Sequence, residues 1–153
     1  MIVLLYGQPA SGKTTLADLL VPHFPPNTMR MDGDVWREIT QNKDYSKEGR
    51  MRNLKSAYDM AIYLSRSGFV SLMSFVSPYE ELRQYLRDNS NLIEIYLTYD
   101  NERGRTNYFA KDFDVPQKYD LHINTSELSI DECINKIIEY LKLKNKNFNG
   151  NLE

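Results

Sequence analysis

Gly7-Gln8-Pro9-Ala10-Ser11-Gly12-Lys13-Thr14 fits the spacing G-x-x-x-x-G-K-[ST] without a mismatch. That pattern binds nucleotide phosphates largely with backbone. Gly7 and Gly12 permit conformations and close approaches that a Cβ would obstruct. Amides around Ala10, Ser11 and onward to Thr15 can point at phosphate oxygens, and the start of the following helix adds a favourable field. Lys13 is placed to bridge the β- and γ-phosphates, and Thr14 to ligate Mg²⁺. ATP or GTP is the expected ligand. A second group follows in Asp32 and Asp34, two residues apart after a short strand; in extended geometry that spacing aims both carboxylates at one face. One can hold Mg²⁺-bound water and the other can orient or deprotonate an acceptor hydroxyl. The same pair also suits a turn with a helix N-cap. Arg37 can bind an acceptor phosphate or sulfate bidentately. Arg50 and Asn53 stand three apart on one helical face, a spacing that equally describes a solvated charged surface. Ser74-Phe75-Val76-Ser77-Pro78-Tyr79 ends a strand and opens a helix, where backbone can contact an acceptor and Phe75 can stack on a base.

These residues need elements to carry them. Ile2–Tyr6 is continuously apolar, the signature of a strand covered on both faces. The pattern predicts a helix over Lys13–Phe24, a strand at Met29–Met31 and a short helix at Val35–Gln41. A longer helix runs from Lys47 to Ser67, with Met51, Leu54, Tyr58, Ala61 and Leu64 at threes and fours. Val70–Phe75 is a third strand, and Pro78 opens a helix running to Arg87. Leu92–Leu97 is a fourth strand with Glu94 as its one charge, Leu121–Ile123 a fifth, and Ile130–Leu143 the last helix. Asn101–Pro116 has no clear period. Strands alternating with helices indicate an α/β fold with a mostly parallel sheet, whose ligands collect at the carboxyl ends of the strands. Residues 1–143 read as a single domain. Residues 144–153, rich in Asn and Lys with no apolar face, read as a disordered tail.

Composition narrows the function classes. At 153 residues, with 41% hydrophobic and 26% charged side chains, the chain is an ordinary single globular domain. No apolar run approaches the roughly 20 residues a bilayer span requires, and the first apolar run is too short for a signal peptide. Nineteen basic and 21 acidic residues give a net charge of −2, so bulk electrostatics recruit neither nucleic acid nor anionic membrane. The single Cys133 forms no intrachain disulfide or thiolate zinc site. A cytoplasmic setting is expected. Eleven tyrosines read as half-buried scaffold, with Tyr79 and Tyr108 in segments near the expected acceptor.

In order, GQPASGKTT, MDGDVWR at 31–37, RMRN at 50–53 and SFVSPYEELR at 74–83 resemble the adenylylsulfate kinase (APS kinase) family. DFDVPQKYDLHINT at 112–125 is similar to that family's closing segment. The resemblance covers about Met1 to Leu141. It implies an adenylate-kinase-like P-loop fold of five parallel strands with helices on both faces. It also implies a magnesium-dependent transferase that passes the γ-phosphate of ATP to the ribose 3′-hydroxyl of adenosine 5′-phosphosulfate (APS). Lys13, Thr14 and Thr15 then serve the ATP and Mg²⁺ side. Asp34 is the catalytic carboxylate, Arg37, Arg50 and Asn53 bind the acceptor, and Phe75, Val76 and Ser77 form its wall. Family members often dimerise, so a homodimer is one arrangement the resemblance implies. The chain departs from the family after the fourth strand, where the lid motif R-D-x-K-G-L-Y is absent and the segment is shorter. There Arg103 or Arg105 is expected to close over the transferred phosphate, and Tyr108 or Phe109 to replace the family's stacking phenylalanine. Two alternatives stay open: a kinase of another nucleotide acceptor, such as cytidine diphosphoramidate, and a P-loop nucleotide-binding module that transfers nothing.

Overall fold

Ile2–Tyr6 (β1) is apolar at every position and wholly buried, so it must run through the middle of a sheet covered on both faces. The computed structural model describes residues 1–100, 110–145 and 148, and places β1 there. Thr28–Asp32 (β2), Val70–Phe75 (β3), Leu92–Thr98 (β4) and Leu121–Asn124 (β5) complete the sheet in the order β2-β3-β1-β4-β5. All four ladders are parallel.

Side chains alternate across the sheet. Val3 and Leu5 pack with Leu16, Ala17 and Leu20 of Lys13–Leu20 (α1) and with Ile134, Ile137 and Leu141 of Ile130–Lys144 (α5). Ile2, Leu4 and Tyr6 pack on the opposite face. There they meet Leu54, Ala57 and Tyr58 of Lys47–Arg66 (α3) and Leu82 and Leu86 of Glu80–Asn89 (α4). Each aliphatic side chain fully buried this way stabilises the fold by about 1.5–3 kcal/mol. Gly33–Thr40 (α2) joins β2 to the loop before α3. No helix among the described residues is long and apolar enough to cross a membrane.

Several elements differ from the sequence expectation, each for a physical reason. The first helix stops at Leu20 and tightens into a 3₁₀ turn at Val21–His23, because Pro22 has no amide to continue the α-helical ladder. The second begins at Gly33 rather than Val35, since the Asp32 carboxylate accepts from Asp34 N and caps it. The fourth begins at Glu80 rather than Pro78. Ser77 takes a left-handed φ of 48° and Tyr79 is extended, while Asp114, 34 residues away, accepts from Glu80 N. Glu94 is buried and held by Arg87 at 2.6 and 3.0 Å. Burial pushes its carboxyl above the usual range, and the Arg87 contact only partly offsets this. The segment after α5 is not without apolar contact: Phe148 is buried, edge-on to Phe24 with ring centroids 5.0 Å apart.

Parallel order brings every strand's carboxyl end to one edge. The phosphate loop leaves β1 there, Asp32 ends β2, and Val76–Pro78 follow β3.

Candidate active site

The phosphate loop is shaped by positions where only particular backbones fit. Gly7 has a φ of 152°, and a Cβ on it would overlap the carbonyl oxygen of Leu97. Gly12 caps α1 with a φ of 97°. Ala10 carries a left-handed φ of 67°, unusual for a residue with a Cβ. Lys13 rises from the first turn of α1, and its ammonium donates to Gln8 O at 2.7 Å and Ser11 Oγ at 3.4 Å. Thr125 Oγ1 donates to Ser11 O at 3.0 Å, tying the loop to the end of β5.

Beside the loop, Thr14 Oγ1 donates to Asp32 Oδ1 at 2.9 Å, and Ser74 Oγ donates to the same oxygen at 2.5 Å. Arg30 lies 3.5 Å away. Burial pushes the Asp32 carboxyl up, but the hydroxyls of Ser74 and Thr14 and the Arg30 guanidinium outweigh it and hold the group below the usual carboxylate range. Asp32 and Asp34 are therefore not a pair on one extended strand. Asp32 closes the strand and caps α2, while Asp34 stands in the first helical turn with an exposed carboxylate. Both still line one cavity of about 850 Å³.

The opposite wall comes from α2, α3 and the β3–α4 turn. Arg37 donates to Asn42 O and Asp44 O, and its guanidinium lies 4.2 Å from the centre of the Tyr45 ring. Arg50 donates to Tyr45 O at 3.0 Å. Asn53 is buried, and its amide oxygen has no hydrogen-bond partner among the described residues. Ser77 receives the Tyr58 hydroxyl at 2.6 Å. Of the expected site residues, Ala10, Gly12, Lys13, Thr14, Thr15, Asp32, Asp34, Arg37, Arg50, Asn53, Phe75, Val76 and Ser77 all line this cavity. Gly7 and Ser11 shape the loop from beneath. Phe75 is only 2% exposed, so it forms a floor and offers almost no ring face for stacking. Arg103, Arg105, Tyr108 and Phe109 lie outside the described residues.

Two residues of this site escaped the sequence reading. Tyr45 lines the cavity, 63% exposed, and nothing in its local sequence marks it. Gly49 sits in the first turn of α3, where a Cβ would overlap the carboxyl carbon and carbonyl oxygen of Asp44. That contact lets residues 42–46 pack tightly on the helix and aim Tyr45. Gly49→Ala gains about 1 kcal/mol of helix propensity but overpacks the loop at about 1–3 kcal/mol. The expected net result is a fall in Tm of a few degrees in thermal unfolding. An unchanged Tm would mean the loop is not held by this contact.

Comparison with known proteins agrees with the geometry. The sequence model of the family described as adenylylsulphate kinase matches residues 1–108. The adenylyl-sulfate kinase of Halothermothrix orenii is 29% identical over 161 residues, covering 90% of this chain and 87% of that protein. That of Oceanobacillus iheyensis is 30% identical over 164 residues, covering 90% and 82%. The APS kinase of Mycobacterium tuberculosis, solved with AMPPNP and APS, superposes with a TM-score of 0.76 at 21% identity, covering 92% of this chain and 96% of that one. At that identity the last likeness shows the fold alone.

Proposed function

The chain belongs to the adenylylsulphate kinase family, and from that premise we propose that it phosphorylates the ribose 3′-hydroxyl of APS. Membership makes it an ATP-dependent, nucleotide-directed phosphotransferase with ATP as donor and Mg²⁺ as its metal. APS and its 3′-hydroxyl are suggested by the family likeness, and transfer to an anionic acceptor is supported by one observation. The phosphate loop and a wall carrying Arg37, Arg50 and Asn53 face each other across a single cavity. A nucleotide-binding module that transfers nothing has no use for that second wall.

Each residue then has a physical task. Lys13 neutralises the β- and γ-phosphates, giving up its present bond to Gln8 O. The donor set at the metal position fits Mg²⁺, because Thr14 and the ionised Asp32 present hard oxygens and lie 2.9 Å apart. When bound, the metal supplies charge neutralisation on the phosphate oxygens. Asp34, exposed to the cavity, accepts a hydrogen bond from the attacking hydroxyl and aligns it with the γ-phosphorus. Arg37 and Arg50 bind the acceptor's anionic end, and Asn53, whose buried amide oxygen has no partner among the described residues, reorients its amide toward the acceptor, satisfying a group that is otherwise costly to bury.

The test is a screen of ADP release against candidate acceptors. APS-stimulated release with a 3′-phosphorylated product is the expected result. Strong turnover with a different nucleotide and none with APS would replace the acceptor. ATP hydrolysis indifferent to every acceptor would remove the transferase reading.

A further inference from the structure

Gln8, the second residue of the phosphate loop, makes contacts that phosphate binding does not require. Its side-chain amide donates to Ala110 O at 3.0 Å, and its carbonyl oxygen accepts from Ala110 N at 3.1 Å. This two-point clamp copies the pairing of one peptide with another, and it joins residues 102 apart in sequence. Ala110 is 3% exposed. Four residues later, at most roughly 14 Å of extended chain, Asp114 is bonded to the acceptor wall at three points. Its amide donates to Pro78 O at 2.7 Å, its carboxylate accepts from Glu80 N at 2.9 Å, and its carbonyl accepts from Arg83 at 2.7 Å. Arg83 also donates to Ser77 O at 2.6 Å, and Ser77 and Pro78 line the cavity.

Residues 110–114 therefore form a short strap between the two substrate sides. Its near end is held by the residue whose main-chain carbonyl receives the Lys13 ammonium. Phosphates entering the loop compete for that ammonium, so bonding at Gln8 changes when nucleotide binds. We propose that Gln8 is a positioning residue that couples nucleotide occupancy of the phosphate loop to the Ser77–Glu80 acceptor wall through this strap. Only five residues, with a turn at 111–112, carry the chain between the two anchored ends, so a displacement at Gln8 has few backbone torsions to cross before it reaches Asp114. The inference rests on the loop binding nucleotide, as read above, but not on the identity of the acceptor.

Hydrogen exchange read by mass spectrometry tests it on the full chain, using ADP with Mg²⁺ as probe. In the wild type, ADP is expected to slow exchange at residues 76–82 at least 3-fold, although these carry no part of the phosphate loop. Gln8→Met keeps length without hydrogen bonds. It should bind ADP within 3-fold of wild type, speed exchange over 110–119 by roughly 3- to 10-fold, and lose the protection of 76–82. With an acceptor in hand, its KM for that acceptor should rise about 5-fold while the KM for ATP moves less than 2-fold, a split that general loosening would not produce. Protection of 76–82 by ADP equal in wild type and variant, or absent from both, overturns the proposal. Should Gln8→Met lose ADP binding, Asp114→Pro removes two of the three far-end bonds, the amide's to Pro78 O and the carboxylate's to Glu80 N, and leaves the loop intact; retained protection in that variant overturns the proposal equally. If the wild type binds no ADP, the reading of the phosphate loop fails instead.

Discussion

Asp34→Asn is expected to lower kcat by about 10²- to 10⁴-fold while ADP affinity stays near wild type. The two carboxylates at the end of β2 divide the work because their surroundings differ. Asp32 is already engaged by the hydroxyls of Thr14 and Ser74, the amide of Asp34 and the Arg30 guanidinium. These hold its carboxyl below the usual range, which makes it a poor proton acceptor at neutral pH. Asp34 has an exposed carboxylate on the cavity wall opposite Lys13's loop, free to meet an incoming hydroxyl. Asparagine keeps its size and removes its charge. The loss should therefore fall on kcat and kcat/KM together, the mark of an interaction made in the transition state. Retained kcat would take Asp34 out of this role.

Asp32→Asn provides the contrast, since it should weaken Mg²⁺ dependence and stability as well as rate. A carboxyl whose folded pKa is depressed contributes stability above its unfolded pKa, and loses it as pH falls through the folded value. For Asp32 that loss begins near pH 4 and deepens below it. The stability profile between pH 5 and 8 should be the same in wild type and Asp32→Asn, apart from a constant offset. The two curves should converge in acid. A gap that persists unchanged below pH 3 would show that Asp32 is held by packing rather than by its charge.

The phosphate loop was legible because everything it needs is contiguous: two glycines, a lysine and a threonine at spacings the turn itself dictates. The strands were legible because Ile2–Tyr6 and Val70–Phe75 are buried on both faces and so cannot alternate. What stayed hidden depends on contacts that no sequence spacing announces. The start of α4 is set by Asp114, and Tyr45 lies over Arg37 because Gly49 admits the chain of Asp44. Glu94 looked like a lone charge in a strand, and only the fold brings Arg87 to it. The spacing of Asp32 and Asp34 suits extended geometry and a turn with a helix N-cap alike, and it is the cap that forms, turning the chain helical before Asp34.

Arg83→Met is expected to cost about 2–6 kcal/mol and lower Tm by roughly 10 °C, although it changes no residue lining the cavity. Arg83 is completely buried on α4. One nitrogen donates to Ser77 O at 2.6 Å, another to Asp114 O at 2.7 Å, and the Glu80 carboxylate closes the group at 2.9 Å. Its guanidinium also lies 5.2 Å from the centre of the Tyr6 ring, beneath the strand that feeds the phosphate loop. Methionine fills much of the same volume but leaves two inward carbonyls without donors, each costing about 1–3 kcal/mol. Glu80 matters less, since it is part-exposed and keeps Arg87. Arg83→Lys retains charge but is a point donor that cannot serve three oxygens spread over a planar fork. It should recover only part of the stability. A Tm drop under about 3 °C for Arg83→Met would show that the turn at Ser77 holds itself. That turn has a strained φ of 48° and a second anchor in Tyr58, so the measurement separates its two supports.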